Sequence, residues 1–464
     1  MSKHPSGSRQ AEMFPRSTQP LIAIEGNHRL VALADKLDWT EMEMRAEAIR
    51  ASKPKNAAGR PPHLRALLGA MVLRATRYQP YRVLADQVRH YAPARYLCGQ
   101  TETTWSPDHN TLHDFISLMG EEGVRFINEY AVEWAVEEKL ADPRLLVADT
   151  TAQEATFPYP NEMGLMAAFL TAVTAACKKG GSALKEFVGK AAAKLAAASE
   201  RLRDYRLFAK NKTKVEKDRM TAELATLVEA VQKQLGRALD SAQASKQRLG
   251  VHARQATTKV EQLNETMKRL VPQIRYWLKT GFVAQDKIIS LHIPELYSIV
   301  RGKVGKAVEF GLTWGIRRLK GGYLLASVAA DRRELVDAKF AVKAVEEHIA
   351  LFGKPPRAYA YDRGGWSAAN IASLEKLGVK DVGLAPRGKA EWKVSASMKK
   401  KLVSERAQVE GGIGTLKCGR YGFNRPAARS ARMMGTCGQL AALGFNLNKV
   451  VRELAKKELQ TLVG

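Results

Sequence analysis

"RLLVADTTAQEATF", Arg144–Phe157, decides the fold. Leu145–Ala148 is a short apolar run of the length and composition of a buried strand, and it ends on a carboxylate, Asp149. "PPRAYAYDRGGWS", Pro355–Ser367, repeats the design, with a strand ending at Asp362. Between them, "KAVEFGLTWGIRR" and "GGYLLASVAAD" read as two strands joined at a Gly-Gly turn, followed by a helix that stops at Gly353. "SAANIASLEKLG" is a further helix, "VKDVGLAP" a further strand, and another helix opens near Ser404. A crossover helix joins parallel strands right-handedly, so the helix over 338–353 predicts that the Asp362 strand lies beside the Asp149 strand. Two close carboxylates repel and lose hydration, and a divalent cation between them removes both penalties. Hard oxygen ligands with open positions suit Mg²⁺, and a third carboxylate from a helix would complete a two-metal site for phosphoryl transfer.

"SERAQVEGGIGTLKCGRYGFNRP", Ser404–Pro426, offers that third carboxylate. Arg406 and Glu410 are i and i+4 on a helix, and Lys417 follows two turns later, so the three share a face. Glu410 would point at metal and the flanking cations at phosphates. A solvated i,i+4 ion pair is the plainer alternative for Arg406 and Glu410. Gly411, Gly412 and Gly414 weaken a simple surface helix and point to close backbone approach or an early helix end. Trp366 would either stack on an unpaired base or anchor the next helix in the core. Asp331 ends an apolar strand too, but "VAADRREL" reads as a turn and a helix cap.

In order and spacing these pieces resemble the DDE-type transposases of bacterial insertion sequences, whose catalytic core is ribonuclease-H-like. The carrying residues are "VADTT" with Asp149, "AYDRGGWS" with Asp362, and Arg406-x3-Glu410-x6-Lys417. The last spacing matches that group's Tyr-x2-Arg-x3-Glu-x6-Lys signature except at its tyrosine, which falls on Val403. "YRVLADQVRHYAPARYLCG" and "SPDHNTLHDF" resemble the N-terminal helical domain of the same elements. The resemblance runs in pieces from about residue 62 to 450. It implies a mixed α/β sheet flanked by helices. It also implies two Mg²⁺ ions, replaceable by Mn²⁺, on Asp149, Asp362 and Glu410. Arg406, Lys417, Trp366, Arg363, Arg420 and Arg425 would contact DNA. Better-known members carry an insertion between the second aspartate and the glutamate, whereas here it lies between the two aspartates.

The rest of the chain sets bounds. It has 464 residues, 45% of them hydrophobic, enough for two or three domains. A net charge of +27 points to a polyanionic partner, and the resemblance implies that it is double-stranded DNA at element ends and target sites, with a homodimer assembled on it. Cys98, Cys177, Cys418 and Cys437 are far apart, which excludes a CxxC zinc module and a disulfide framework. No apolar signal core or membrane-length run is visible, so an intracellular protein is expected, and the resemblance implies a cytoplasmic, nucleoid-associated bacterial one. The expected layout is a partly disordered arm over 1–60, a helical DNA-binding domain over 61–140 and core over 141–164. A coiled-coil-like insertion of two or three antiparallel helices follows over 165–287, interrupted near 209–214 and at Gly250. Core resumes over 288–445, and a helical tail covers 446–464. Two other functions fit parts of this pattern: a non-catalytic basic coiled-coil protein that bridges DNA, and a ribonuclease-H-like nuclease without strand transfer.

Overall fold

The computed structural model describes residues 24–52, 63–101, 103, 105–156, 161–245, 249–303, 306–329, 334–386 and 391–463. The first residues of the expected arm and Asp331 lie outside these. The chain divides into two compact units. One comprises Met1–Gln153, Thr313–Ala428 and Arg432–Gly464, and the other Glu154–Leu312 and Arg429–Ala431.

The first unit opens with helices α1 (Arg29–Lys36) and α2 (Trp39–Ala51), within the stretch over 1–60 expected to be a partly disordered arm. The Asp38 carboxylate accepts the Glu41 N–H at 3.1 Å and caps α2. Then come α3 (Leu64–Thr76), α4 (Tyr81–His90), α5 (Ala92–Leu97) and α6 (His109–Glu137). Asp108 caps α6 by accepting from Thr111 N–H at 2.8 Å, and Gly120, with φ 64°, kinks it. These helices bury one apolar core, which includes Leu33, Met42, Leu68, Met71, Leu84 and Ile116.

Strand β1 (Asp142–Glu154) follows. The second unit then supplies α7 (Glu162–Cys177), α8 (Ser182–Lys190), α9 (Ala192–Phe208), α10 (Lys214–Ser245) and α11 (Val251–Thr280). Among the described residues this is five helices, not the two or three expected. The reason lies in α7, "EMGLMAAFLTAVTAAC", which is apolar nearly all round and therefore needs cover on several sides. It packs against α8, α9, α10 and α11, with Phe169, Leu224, Val228 and Met267 in the shared core. A one-turn 3₁₀ segment at Ala209–Asn211 separates α9 from α10, and Gly250 precedes α11 as its N-cap. Strand β2 (Tyr297–Lys303) pairs antiparallel with the start of β3 (Lys306–Lys320).

Back in the first unit, β4 (Leu324–Val328) pairs antiparallel with the end of β3 across a turn in which Gly321 and Gly322 take φ of 97° and 90°. Then come α12 (Asp337–Phe352), closed by Gly353 at φ 69°, β5 (Ala358–Tyr361), α13 (Ala368–Lys376), β6 (Asp381–Leu384), α14 (Ala396–Leu416) and α15 (Ala431–Val463). Helix α15 runs unbroken through residue 446, where a separate tail was expected to begin. The sheet is mixed: β3 is antiparallel to β2 and β4, whereas β5 is parallel to both β1 and β6. β1 sits between β3 and β5.

Helices cover both faces. On one, Leu146, Ala148, Tyr359 and Tyr361 bury against Phe340 and Ala341 of α12. On the other, a Cβ on Gly383 would lie 2.4 Å from the Leu402 side chain of α14. Helix α15 approaches α3 so closely that a Cβ on Gly444 would lie 1.8 Å from the Ala75 carbonyl oxygen. Backbone cannot yield as a side chain can. Gly444→Ala should therefore cost about 3 kcal/mol, read as a lowered denaturation midpoint at unchanged m-value.

His348 of α12 is 1% exposed, and burial, then the Arg317 guanidinium, holds its imidazole down to about 4. The folded state thus keeps His348 neutral where the unfolded chain would protonate it. That contribution is complete above about pH 6.5 and is lost as pH falls toward 4, by about 3 kcal/mol in all. His348→Leu should remove close to one proton from the stability-versus-pH slope in that window, measured by denaturant titration at stepped pH.

Candidate active site

The register of the sheet sets the site. β1 and β5 pair with Leu145 opposite Ala358 and Val147 opposite Ala360. Two residues further along both chains, Asp149 stands level with Asp362, one position past the end of β5. Opposed residues of parallel strands project to the same face, and neighbouring strands are about 4.8 Å apart. The two carboxylates therefore share one face and one level. Asp149 accepts the Thr150 N–H at 2.8 Å, and Asp362 accepts the Gly364 N–H at 2.7 Å as cap of the one-turn segment Arg363–Gly365. Both carboxylates act on Tyr359. Burial first, then Asp149 and Asp362, hold its phenol well above the ordinary tyrosine range. Its hydroxyl has no hydrogen-bond partner among the described residues.

Asp337, which was not among the expected site residues, braces this end of the sheet. Its carboxylate accepts from the Thr150 hydroxyl at 2.7 Å and the Tyr361 hydroxyl at 3.2 Å. A Cβ on Gly364 would fall 2.5 Å from its other oxygen. Asp337 thus ties β1, β5 and the Asp362 loop together from the α12 face. An aspartate in the first turn of the crossover helix, which ends beside the second aspartate's strand, was the available signal.

Glu410 sits on α14, which covers the face that carries Asp149 and Asp362. Ala360 pairs with Gly383, and Gly383 lies under Leu402. Glu405 and Gln408 of α14 both hold Arg318, the first at 2.6 Å. Arg318 is near the β3–β4 turn, and that turn abuts Leu140 at the start of β1. Two residues on, Glu410 is turned about 200° from Gln408 and so lies on the side of α14 away from Arg318. Its side chain is 64% exposed and lies 3.8 Å from Arg406. Among the described residues no three His, Cys, Asp or Glu side chains are grouped to hold a metal ion. The structure thus brings Asp149 and Asp362 together and leaves Glu410 on the neighbouring helix, paired with Arg406.

The expected DNA contacts are placed as follows. Lys417 is the C-cap of α14, where a cation complements the helix dipole. Arg363 is exposed in the loop after Asp362. Trp366 is half-buried, packed on the core beneath that loop. Arg420 and Arg425 lie on the loop after α14, which docks on Tyr78: Tyr78 N–H donates to the Arg420 carbonyl at 2.7 Å, and the Tyr78 hydroxyl accepts from Ala427 N–H at 2.9 Å. The three glycines of α14 do not end the helix early, since it continues to Leu416.

Residues 20–118 match the family model described as Transposase domain (DUF772). The match covers α1 to α5 and the first turns of α6, about a fifth of the chain. It supports a role in transposition and suggests a DNA-processing enzyme. No curated protein and no solved structure matches the chain. No helix among the described residues is long and apolar enough to cross a membrane.

Proposed function

We propose that this chain is a DDE-type transposase with a ribonuclease-H-like core, cutting DNA at element ends and joining the freed strand to target DNA. The observation that carries the reading is the level pairing of Asp149 and Asp362 on adjacent parallel strands, in a chain whose N-terminal helices match a transposase domain. Paired hard-oxygen donors on one face fit Mg²⁺ or Mn²⁺. When bound, such ions supply charge neutralisation at the phosphoryl oxygens. Asp149 and Asp362 would hold them, with Glu410 brought in from α14.

The remaining steps belong to the chain. Asp337 fixes the spacing of the two strands that present the aspartates. Arg406 and Lys417 flank Glu410 and meet phosphates on either side of the scissile bond, while Arg363 and Arg425 hold the strand, Trp366 offers a ring face to an unpaired base, and Arg420 meets DNA from the other side of α14. Water attacks the phosphodiester first, and the freed 3′-hydroxyl then attacks target DNA in line. The N-terminal helices bind the terminal repeats of the element, and a dimer assembles on the two ends. The test is cleavage and joining of a duplex carrying the inverted repeats that flank the gene, with and without Mg²⁺. Cutting that is independent of metal, or no cutting with an intact fold, would overturn the reading.

Arg406→Ala and Lys417→Ala should each lower the cleavage rate further than they lower affinity, because a cation beside the scissile phosphate matters most as charge develops. The comparison is of single-turnover rate against equilibrium binding. Normal rates in both variants would leave the Arg-Glu-Lys spacing without a role.

A further inference from the structure

The side of α14 that faces away from Glu410 borders a cleft of about 570 Å³. Its walls bring together cations from distant parts of the first unit: Arg29 of α1, Arg318 of β3, Arg420 of the loop after α14, and Lys449 and Arg452 of α15. None of the residues lining it is acidic. Two of the five cations are matched at the walls, Arg318 by Glu405 and Lys449 by Glu453. The others are not matched by carboxylates among the described residues. One guanidinium nitrogen of Arg29 is buried with no hydrogen-bond partner, and Arg420 stands near enough to lower the Arg29 pKa further, after burial itself. Burying a donor and facing it with a like charge is costly unless something anionic completes the site.

The floor supports the same conclusion independently. Gly411 and Gly412 of α14 line the cleft beside Gly321 and Gly322 of the β3–β4 turn. Glycine in a helix interior is unfavourable, and crowding does not require it at Gly411, where a Cβ would meet no atom within 4 Å. The bare backbone leaves room for a ligand to approach the helix closely.

We infer that this cleft is a second nucleic-acid contact, which seats a backbone phosphodiester of bound DNA on the side of α14 opposite the carboxylates. The identity of the occupant as DNA rests on the proposed function, whereas the anion site itself rests on the cleft. Helix α14 would then touch DNA on both sides, with Glu410 at one and the glycine floor at the other.

The test is fluorescence anisotropy of a labelled duplex without divalent metal, from about 50 to 200 mM salt. Arg29→Gln with Arg452→Gln should weaken binding about tenfold at the low end and make the salt slope shallower by about one, as for loss of one phosphate contact. Gly411→Leu changes no charge and fills the cleft, so it should weaken binding similarly while its unfolding midpoint stays level or rises. Lys376→Gln with Lys380→Gln, exposed elsewhere on the same unit, is the charge-matched control. Wild-type binding by the cleft variants, with folding confirmed by circular dichroism, overturns the inference. So does an equal loss in the control, which would mean bulk charge only. If inorganic tripolyphosphate raises the melting temperature of the unsubstituted chain but not of Gly411→Leu, while the cleft variants bind DNA normally, the occupant is a free anion and the DNA assignment falls. Failure of the transposase reading would register separately, in cleavage, since no part of this assay needs the carboxylates.

Discussion

Asp149→Asn should lower metal-dependent cleavage by about a thousandfold or more while leaving DNA affinity within a factor of about two. The substitution preserves shape, and the asparagine oxygen can still accept the Thr150 N–H that Asp149 accepts at 2.8 Å. Fold and strand register are therefore kept, and only the charge is removed. Asp362→Asn should behave alike, because it stands level with Asp149 and its loop contact, the Gly364 N–H at 2.7 Å, also needs only an acceptor. Residues that act as a unit are non-additive, so the double variant should lose little more than either single one. Cleavage by single-turnover kinetics, read beside binding and thermal unfolding, distinguishes the cases. If affinity and rate fall together, the aspartates support structure rather than chemistry. If the double variant loses the product of the two single effects, they do not share a task.

The legible part of the fold was the part with a short-range cause. Apolar runs ending at Asp149 and Asp362, the Gly321–Gly322 turn and the left-handed Gly353 cap are local signals, and the β1–β5 pairing followed from the crossover rule alone. Asp337 was not legible as a brace, because its partners Thr150 and Tyr361 come from two different strands, the first 187 residues away in sequence. The five-helix unit was misread because heptad-like spacing records that a helix has an apolar stripe, not how many neighbours cover it. The uniformly apolar α7 was the overlooked clue. The basic cleft was invisible for a related reason. Arg29 and Arg452 lie at opposite ends of the chain, and single cations in a sequence with a net charge of +27 carry no positional information. The glycines of α14 pointed to close backbone approach or an early helix end, but the helix runs on to Leu416 and a Cβ on Gly411 or Gly414 would meet no atom within 4 Å.

Glu410 is where geometry and motif pull apart, and Glu410→Gln decides between them. If Glu410 joins the aspartates when DNA and metal are bound, the substitution should lower cleavage by about a thousandfold with no measurable change in stability. If it is only the i,i+4 partner of Arg406, activity should stay normal and the cost should be at most about 0.5 kcal/mol. Stability cannot separate these outcomes, because a side chain 64% exposed and 3.8 Å from its partner contributes little either way. Rate therefore carries the test, and Glu410→Asp sharpens it. The shorter carboxylate keeps the charge and can still face Arg406, but it withdraws the oxygens by about one methylene. A ligand position judges that displacement severely, since catalytic constellations tolerate only about 0.5 Å. A rate loss in Glu410→Asp approaching that of Glu410→Gln would place the glutamate at the reacting phosphate. Full activity in Glu410→Asp alongside a dead Glu410→Gln would instead assign it an electrostatic role at a distance, acting through Arg406.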